Sequence, residues 1–372
     1  MISNLIIKYL NGEASEAEIS QIYDWIDRSE SNKNEFIAMK KTWAMMPFLD
    51  ENTQQEWEKL QLKNPKNKTF NPSHIFKYAA IIMLFIAIGS LIYNRLAPAP
   101  NVPKDIVLEI QDQNRSIKLN AKNQDLFYNS DKVIAKHTEN ELVYNTKTTS
   151  QPLSYHTLTI PFGKTFKVIL SDSSVVYLNS GSVFKYPKQF GTHANRNVFL
   201  QGEAYFEIKK DEKHPFTVSS EGINIQVLGT KFNVNAYANN PEIACVLVEG
   251  SVKLSEMENS KNTLLLTPNQ KGTWLPASKT FASKSVKTTT YISWIKNELI
   301  FEAARFSEIS KKLERSFDVK IDNDYPYLET QEFTGTINTK TSNIENILDL
   351  LSIDTPFEYT KVGSVIKISN TH

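Results

Sequence analysis

Six histidines and a single cysteine are all the soft-metal and thiol chemistry that 372 residues offer. Cys245 alone excludes an internal disulfide. It sits in the apolar run Ile243-Ala244-Cys245-Val246-Leu247-Val248, where it serves as a small core hydrophobe. His74, His137, His156, His193, His214 and His372 stand far apart, so no paired ligands occur at metal spacing. A glycine-rich phosphate loop, a His-Glu-x-x-His pair and a nucleophile elbow are all missing, and neither a cofactor nor a catalytic centre is expected. Charge of one sign is missing too: 42 basic against 41 acidic residues leave no polyelectrolyte field for direct nucleic-acid contact. Glu203 and Glu207, four apart, would share one face of a strand as a glycosidase pair could. No partner residue accompanies them, and an exposed polar strand face is the simpler reading.

What the chain does have is one long uncharged apolar run, Tyr78 to Tyr93. At about 1.5 Å per residue it makes a helix of roughly 24 Å, slightly short of a bilayer core of about 30 Å. Its flanks extend it: Phe76 and Leu96 add apolar surface, Tyr78 and Tyr93 suit the headgroup level, and Lys77 and Arg95 can snorkel outward. A buried helix in a soluble core is the alternative. Lys63, Lys66, Lys68 and Lys77 precede the run, whereas only Arg95 and Lys104 follow it closely. That asymmetry predicts a single pass with residues 1–77 on the cytoplasmic side and 94–372 outside. A cleaved signal peptide fits poorly, because the leader would be too long and Leu96-Ala97-Pro98-Ala99-Pro100 is rich in proline.

Residues 1–62 read as a small all-α bundle. Leu5, Ile6, Tyr9 and Leu10 keep helical spacing, and Ser15-Glu16-Ala17-Glu18 is a capping box. Ile19, Ile22, Tyr23 and Ile26 then form a stripe, with Trp25 beside it; a further helix carries Phe36, Met39, Trp43 and Met46. Thr53-Gln54-Gln55-Glu56 is a second capping box, before Trp57 and Leu60. So small a bundle buries a modest core, and its aromatic surface either completes that core or waits for a partner. Acidic side chains outnumber basic ones here, and the basic linker 63–75 that follows suits anionic lipid. The membrane segment takes 76–96. Residues 97–156 begin as a stiff, proline-marked exit and continue as a linker with poorly placed β signals.

From 157 to 285 short strands alternate with turn residues, which predicts an all-β domain, sandwich or solenoid-like. Ile106–Ile110 with Ser116–Asn120, and Phe166–Leu170 with Val175–Asn179, form a weak internal repeat of hairpins. Gly202, Gly229 and Gly250 fall where reversals are expected. Residues 290–369 follow the order β-α-β-β-α-β-β, a small α+β domain with two helices on one sheet; Ser342-Asn343-Ile344-Glu345 supplies another capping box. The predicted fold class is therefore multidomain: helical bundle, one transmembrane helix, all-β domain, α+β domain.

Several stretches together resemble the FecR-type transmembrane anti-sigma regulators. Leu170-Ser171-Asp172-Ser173-Ser174-Val175-Val176-Tyr177-Leu178-Asn179 is similar to the family's L-x-D-G-S-x-V-x-L-N, with Ser173 in place of glycine. In order after it come Gly202-Glu203-Ala204-Tyr205-Phe206-Glu207, His214-Pro215-Phe216, Gly229-Thr230-Lys231-Phe232-Asn233 and Glu249-Gly250. Tyr9-Leu10-Asn11-Gly12 and the helix ending in Trp25-Ile26 resemble the sigma-binding segment. Trp294 through Phe333-Thr334-Gly335 is similar to a secretin/TonB short N-terminal domain.

The resemblance implies cell-surface signalling and transcription regulation. The inner helices would hold an extracytoplasmic-function sigma factor through Ile19, Ile22, Tyr23, Trp25, Ile26 and Trp43. The periplasmic part would meet the signalling domain of a TonB-dependent outer-membrane transporter, with Val365, Ile366 and Ile368 of the closing strand as a docking edge. The alternative is a membrane-anchored periplasmic carbohydrate-binding or carbohydrate-processing protein.

Overall fold

Alternating apolar and polar residues from Ile106 to Leu275 build two β-sheets around one core. In the computed structural model, described for residues 2–10, 14–29, 31–33, 35–36, 39, 104–119, 124–128, 132–145, 154–190 and 196–371, the chain divides into two units, Met1–Ala97 and Pro98–His372. The expected fold class needs correction: strand is the commonest structure among the described residues, and eighteen strands join in one network. Among the described residues the N-terminal helices include Ile2–Leu10 and Glu16–Asp27, and residues 31–33, 35–36 and 39 are helical too. No helix among the described residues is long and apolar enough to cross a membrane. The run Tyr78–Tyr93 with Lys77 and Arg95 lies outside the described residues, as do Trp43, the second capping box and the linker 63–75.

In the first unit the Ser15–Glu18 capping box forms in both directions, with Glu18 N donating to Ser15 Oγ and Ser15 N to Glu18 Oε2. Those bonds and a 2.9 Å pair with Lys8 hold the Glu18 carboxyl down at about 2. Ile6 and Ile22 are buried, Ile19, Trp25 and Ile26 are half-buried, and Tyr23 is exposed.

In the second unit the strand Arg196–Glu207 belongs to both sheets. Phe199 to Gln201 pair with Lys185 to Val183, and Arg196 to Phe199 run parallel to Phe216–Ser219. From Gly202 onward it lies between Val175–Leu178 and Lys231–Ala236 instead. Gly202 makes the transfer possible. Its φ is +110°, and a Cβ there would lie 2.6 Å from the Cα of Ser182, so both dihedral and space demand glycine. Side chains from both sheets meet in one core, with Phe206 stacked on Phe232 at 4.9 Å and packed at an angle against Phe184 and Phe216.

Residues read as linker and uncertain β signal supply structure. Ile106–Ile110 pairs with Tyr155–Thr159, and Glu141–Tyr144 runs parallel to Phe166–Ile169. Both repeat hairpins form, and each reversal places a non-glycine in the left-handed region: Asn114 at φ 44° and Ser173 at 71°. Beneath this part lies a buried polar trio in which the Tyr144 hydroxyl meets His156 Nδ1 and the Tyr186 hydroxyl. Burial pushes the His156 imidazole down to about 4.

The C-terminal part keeps the expected strands and two longer helices in order, from Glu298–Arg305 to the hairpin Glu358–Val362 and Val365–Ser369, and adds a short helix, Pro326–Glu329, before Glu332–Asn338. Two small sheets replace the single one expected. Glu298–Arg305 pairs with Glu332–Asn338, and Val365–Ser369 lies between Lys320–Asn323 and Glu358–Val362. The closing strand is thus central, with Ile366 and Ile368 fully buried and Val365 half-buried. The last capping position also moves by one: Asn343, not Ser342, accepts from Asn346 N at 2.8 Å, while Glu345 pairs with Lys361.

Candidate functional site

The family-like residues gather into two buried polar networks and one joint. Asp172 accepts from Ser174 N and Ser174 Oγ, which fixes the turn that Ser173 enters in place of glycine. Its carboxylate also takes Arg196 Nη1 at 2.7 Å, in a pair almost closed to solvent. Arg196 in turn donates to the carbonyls of His214 and Lys209, and Arg196 N donates to the Pro215 carbonyl. One guanidinium therefore ties the 170–174 turn, the start of the long strand and the His214-Pro215-Phe216 stretch. A buried charge with this many partners is a positioning element.

The second network centres on Glu203. Asn179 Nδ2 donates to one carboxylate oxygen at 2.8 Å and Asn233 Nδ2 to the other at 2.9 Å. Ser182 Oγ bonds the backbone of Glu203 from across the layer. Glu203 and Glu207 are both half-buried rather than displayed on an open face. Thr230 Oγ1 donates to the Ser251 carbonyl beside Gly250, whose φ is +92°. Gly229 admits the backbone of Lys210, which a Cβ would approach to 2.6 Å. Glu249 forms an exposed pair with Lys231 at 2.8 Å.

The joint is made where the second network meets the C-terminal α+β part. Trp294, in the single turn Ser293–Lys296, donates its indole N–H to Asn233 Oδ1 at 3.2 Å. Tyr205 is 6% exposed because it packs in the same cluster as Trp294, Phe301 and Phe306, with Tyr177 and Val248 at its margin. Burial raises the Tyr205 hydroxyl to about 12. Nearby, the Arg315 guanidinium lies 4.0 Å from the centre of the Tyr237 ring, whose hydroxyl donates to the Ser180 carbonyl at 2.7 Å. Gly163 N donates to the Arg315 carbonyl. Burial pushes the Lys312 ammonium down, Glu203 opposing and Arg315 assisting. A cleft of about 870 Å³ runs along this joint, walled by Lys164, Tyr177 and Asn179 on one side and Trp294, Asn297 and Lys340 on the other.

The structure thus brings together Asn179, Glu203, Tyr205 and Asn233, and it separates them from Asp172, Pro215 and Phe216. Trp294, Arg315 and Tyr237 are the joint residues whose roles the sequence did not assign. An isolated tryptophan just before a strand was the available signal. No group of three or more histidine, cysteine or acidic side chains fit to hold a metal occurs among the described residues.

Comparison with known proteins bears on the same regions. Residues 156–253 match the family described as FecR protein, and residues 298–368 match FecR, C-terminal. Two crystal structures, each of a "putative anti-sigma factor" from Parabacteroides distasonis ATCC 8503, align with TM-scores of 0.53 at 27% identity. They cover 58% and 59% of this chain and 99% and 100% of their own. The chain thus carries both FecR-type regions. No curated protein matches it. The FecR match begins on the strand Tyr155–Thr159 and ends within Val252–Glu256, and the C-terminal match spans Glu298 to Ile368. Trp294 stands between the two matched stretches, and it links them through its hydrogen bond to Asn233 on one side and its packing with Phe301 and Phe306 on the other.

Proposed function

We propose that this FecR-type protein holds an extracytoplasmic-function sigma factor through its N-terminal helices. In this reading a signal reaches it from a TonB-dependent transporter through its C-terminal part. The observation that carries the reading is the division of labour along the chain. A separate N-terminal unit of short capped helices buries Ile6 and Ile22 yet leaves Tyr23 exposed, while both FecR-type regions lie in the other unit. We place the protein at the inner membrane, N-terminus cytoplasmic and C-terminus periplasmic, on the lysine excess before the apolar run. Full-length protein recovered from the membrane fraction should carry a sigma factor with it. Tyr23→Glu alters an exposed position and should reduce that recovery at least about tenfold without loss of fold. Undiminished recovery would remove the helix face from the interface, and recovery only from the soluble fraction would overturn the placement.

A strand available to a transporter's signalling domain is the sheet edge Glu358–Val362. Among the described residues it pairs on one side only, with Val365–Ser369, and Val362 is 80% exposed. Strand addition there needs free backbone groups and little side-chain burial. Lys361 lies in a non-hydrogen-bonded pair with Ile366, so its N–H faces the free edge. Lys361→Pro in the full chain should weaken binding of an isolated signalling domain in calorimetry while the thermal transition persists. Unchanged affinity would exclude this edge.

A further inference from the structure

The outer face of the first sheet has a chemical character that anti-sigma regulation does not use. Cross-strand register aligns Phe199, Ser219, Asn224 and Ser255 in one row, and Asn197, Thr217, Gln226 and Lys253 in the next. Together they line a shallow depression of about 340 Å³ running across four strands. No carboxylate lines it, Lys253 is its one charge, and Phe199 is its one large apolar group, 43% exposed. Tyr155 packs edge-on against Phe199 at 6.2 Å, and the Lys185 ammonium lies over both rings, at 5.1 Å from Tyr155 and 5.8 Å from Phe199. Among the lining side chains one hydrogen bond forms, Ser219 Oγ donating to Asn224 Oδ1 at 2.8 Å.

We propose that this groove binds a neutral oligosaccharide. Amides and hydroxyls on adjacent strands stand about 4.8 Å apart, close to the advance of one pyranose ring, so successive sugars can meet successive strands. Carboxamides offer a donor and an acceptor in one plane, which suits vicinal hydroxyls. The exposed face of Phe199 suits the C–H face of a sugar ring. An acidic polymer would meet Lys253 and, at the margin, a Lys185 ammonium already placed over two rings, a basic peptide would find no carboxylate, and an apolar helix would find one phenyl ring. A neutral polyhydroxylated chain is complementary to what remains. The groove goes beyond the anti-sigma reading and does not rest on it, since sigma-factor recovery and sugar binding are scored separately.

The test is fluorescence polarisation of the full chain with end-labelled cellohexaose, xylohexaose, maltohexaose and chitohexaose. At least one should bind saturably with Kd of about 1 mM or tighter. Phe199→Ala and Gln226→Ala should each weaken it about tenfold or more with unchanged melting, whereas Lys284→Ala on the other sheet should leave it unchanged. Absence of binding to all four sugars overturns the proposal, as does binding that survives both groove variants. Stronger competition by heparin than by unlabelled neutral sugar also overturns it.

Discussion

One strand, Arg196–Glu207, passes through two environments, and the contrast between its halves explains much of this protein. Before Gly202 the outward residues Asn197, Phe199 and Gln201 are exposed on a bare sheet. After Gly202 the outward residues Glu203, Tyr205 and Glu207 turn toward the second sheet's outer side, where Tyr205 packs with the C-terminal part. The alternation of residue types is the same on both sides of the glycine. A strand face is therefore surface or joint according to what the rest of the chain lays over it, and the local sequence does not decide which.

The largest expected effect comes from attacking the joint. Trp294→Ala removes a nearly buried indole and leaves Asn233 Oδ1 without its donor, and it should cost about 3–5 kcal/mol in urea unfolding. The matching change before the glycine, Phe199→Ala, should cost about 0.5 kcal/mol or less, because the ring is already largely in water. Equal costs would erase the distinction between the two halves.

Much of this was legible in the sequence wherever the deciding contacts are local. The Ser15–Glu18 capping box, the hairpin around Asp172–Ser174 and the helices Phe306–Phe317 and Ile344–Asp354 all depend on near neighbours, and all form. Long-range pairing was not legible. Residues 121–156 read as irregular because strands there find partners elsewhere, Glu141–Tyr144 with Phe166–Ile169 and Tyr155–Thr159 with Ile106–Ile110. A hairpin at the end of the chain suggests that its last strand, Val365–Ser369, is an edge. Yet the parallel partner Lys320–Asn323 lies too far back in sequence to be read, and alternation is a pattern that central and edge strands share. For the same reason Glu203 resembled a displayed carboxylate. Only the fold shows both of its oxygens held by Asn179 and Asn233.

The central claim is that the long strand changes from free surface to internal joint at Gly202, and thiol labelling tests it directly. The native Cys245 is 1% exposed and burial raises its thiol pKa strongly, so it provides a silent background. Phe199→Cys and Tyr205→Cys each add one thiol to the full chain, and maleimide labelling rates under native conditions can be compared. The account predicts that the thiol at 199 reacts as fast as in urea. The thiol at 205 should react at least about a hundredfold more slowly, since a joint opening against about 3 kcal/mol exposes it less than one per cent of the time. Adding Trp294→Ala should bring the two rates together. Equal rates with Trp294 intact would contradict the account.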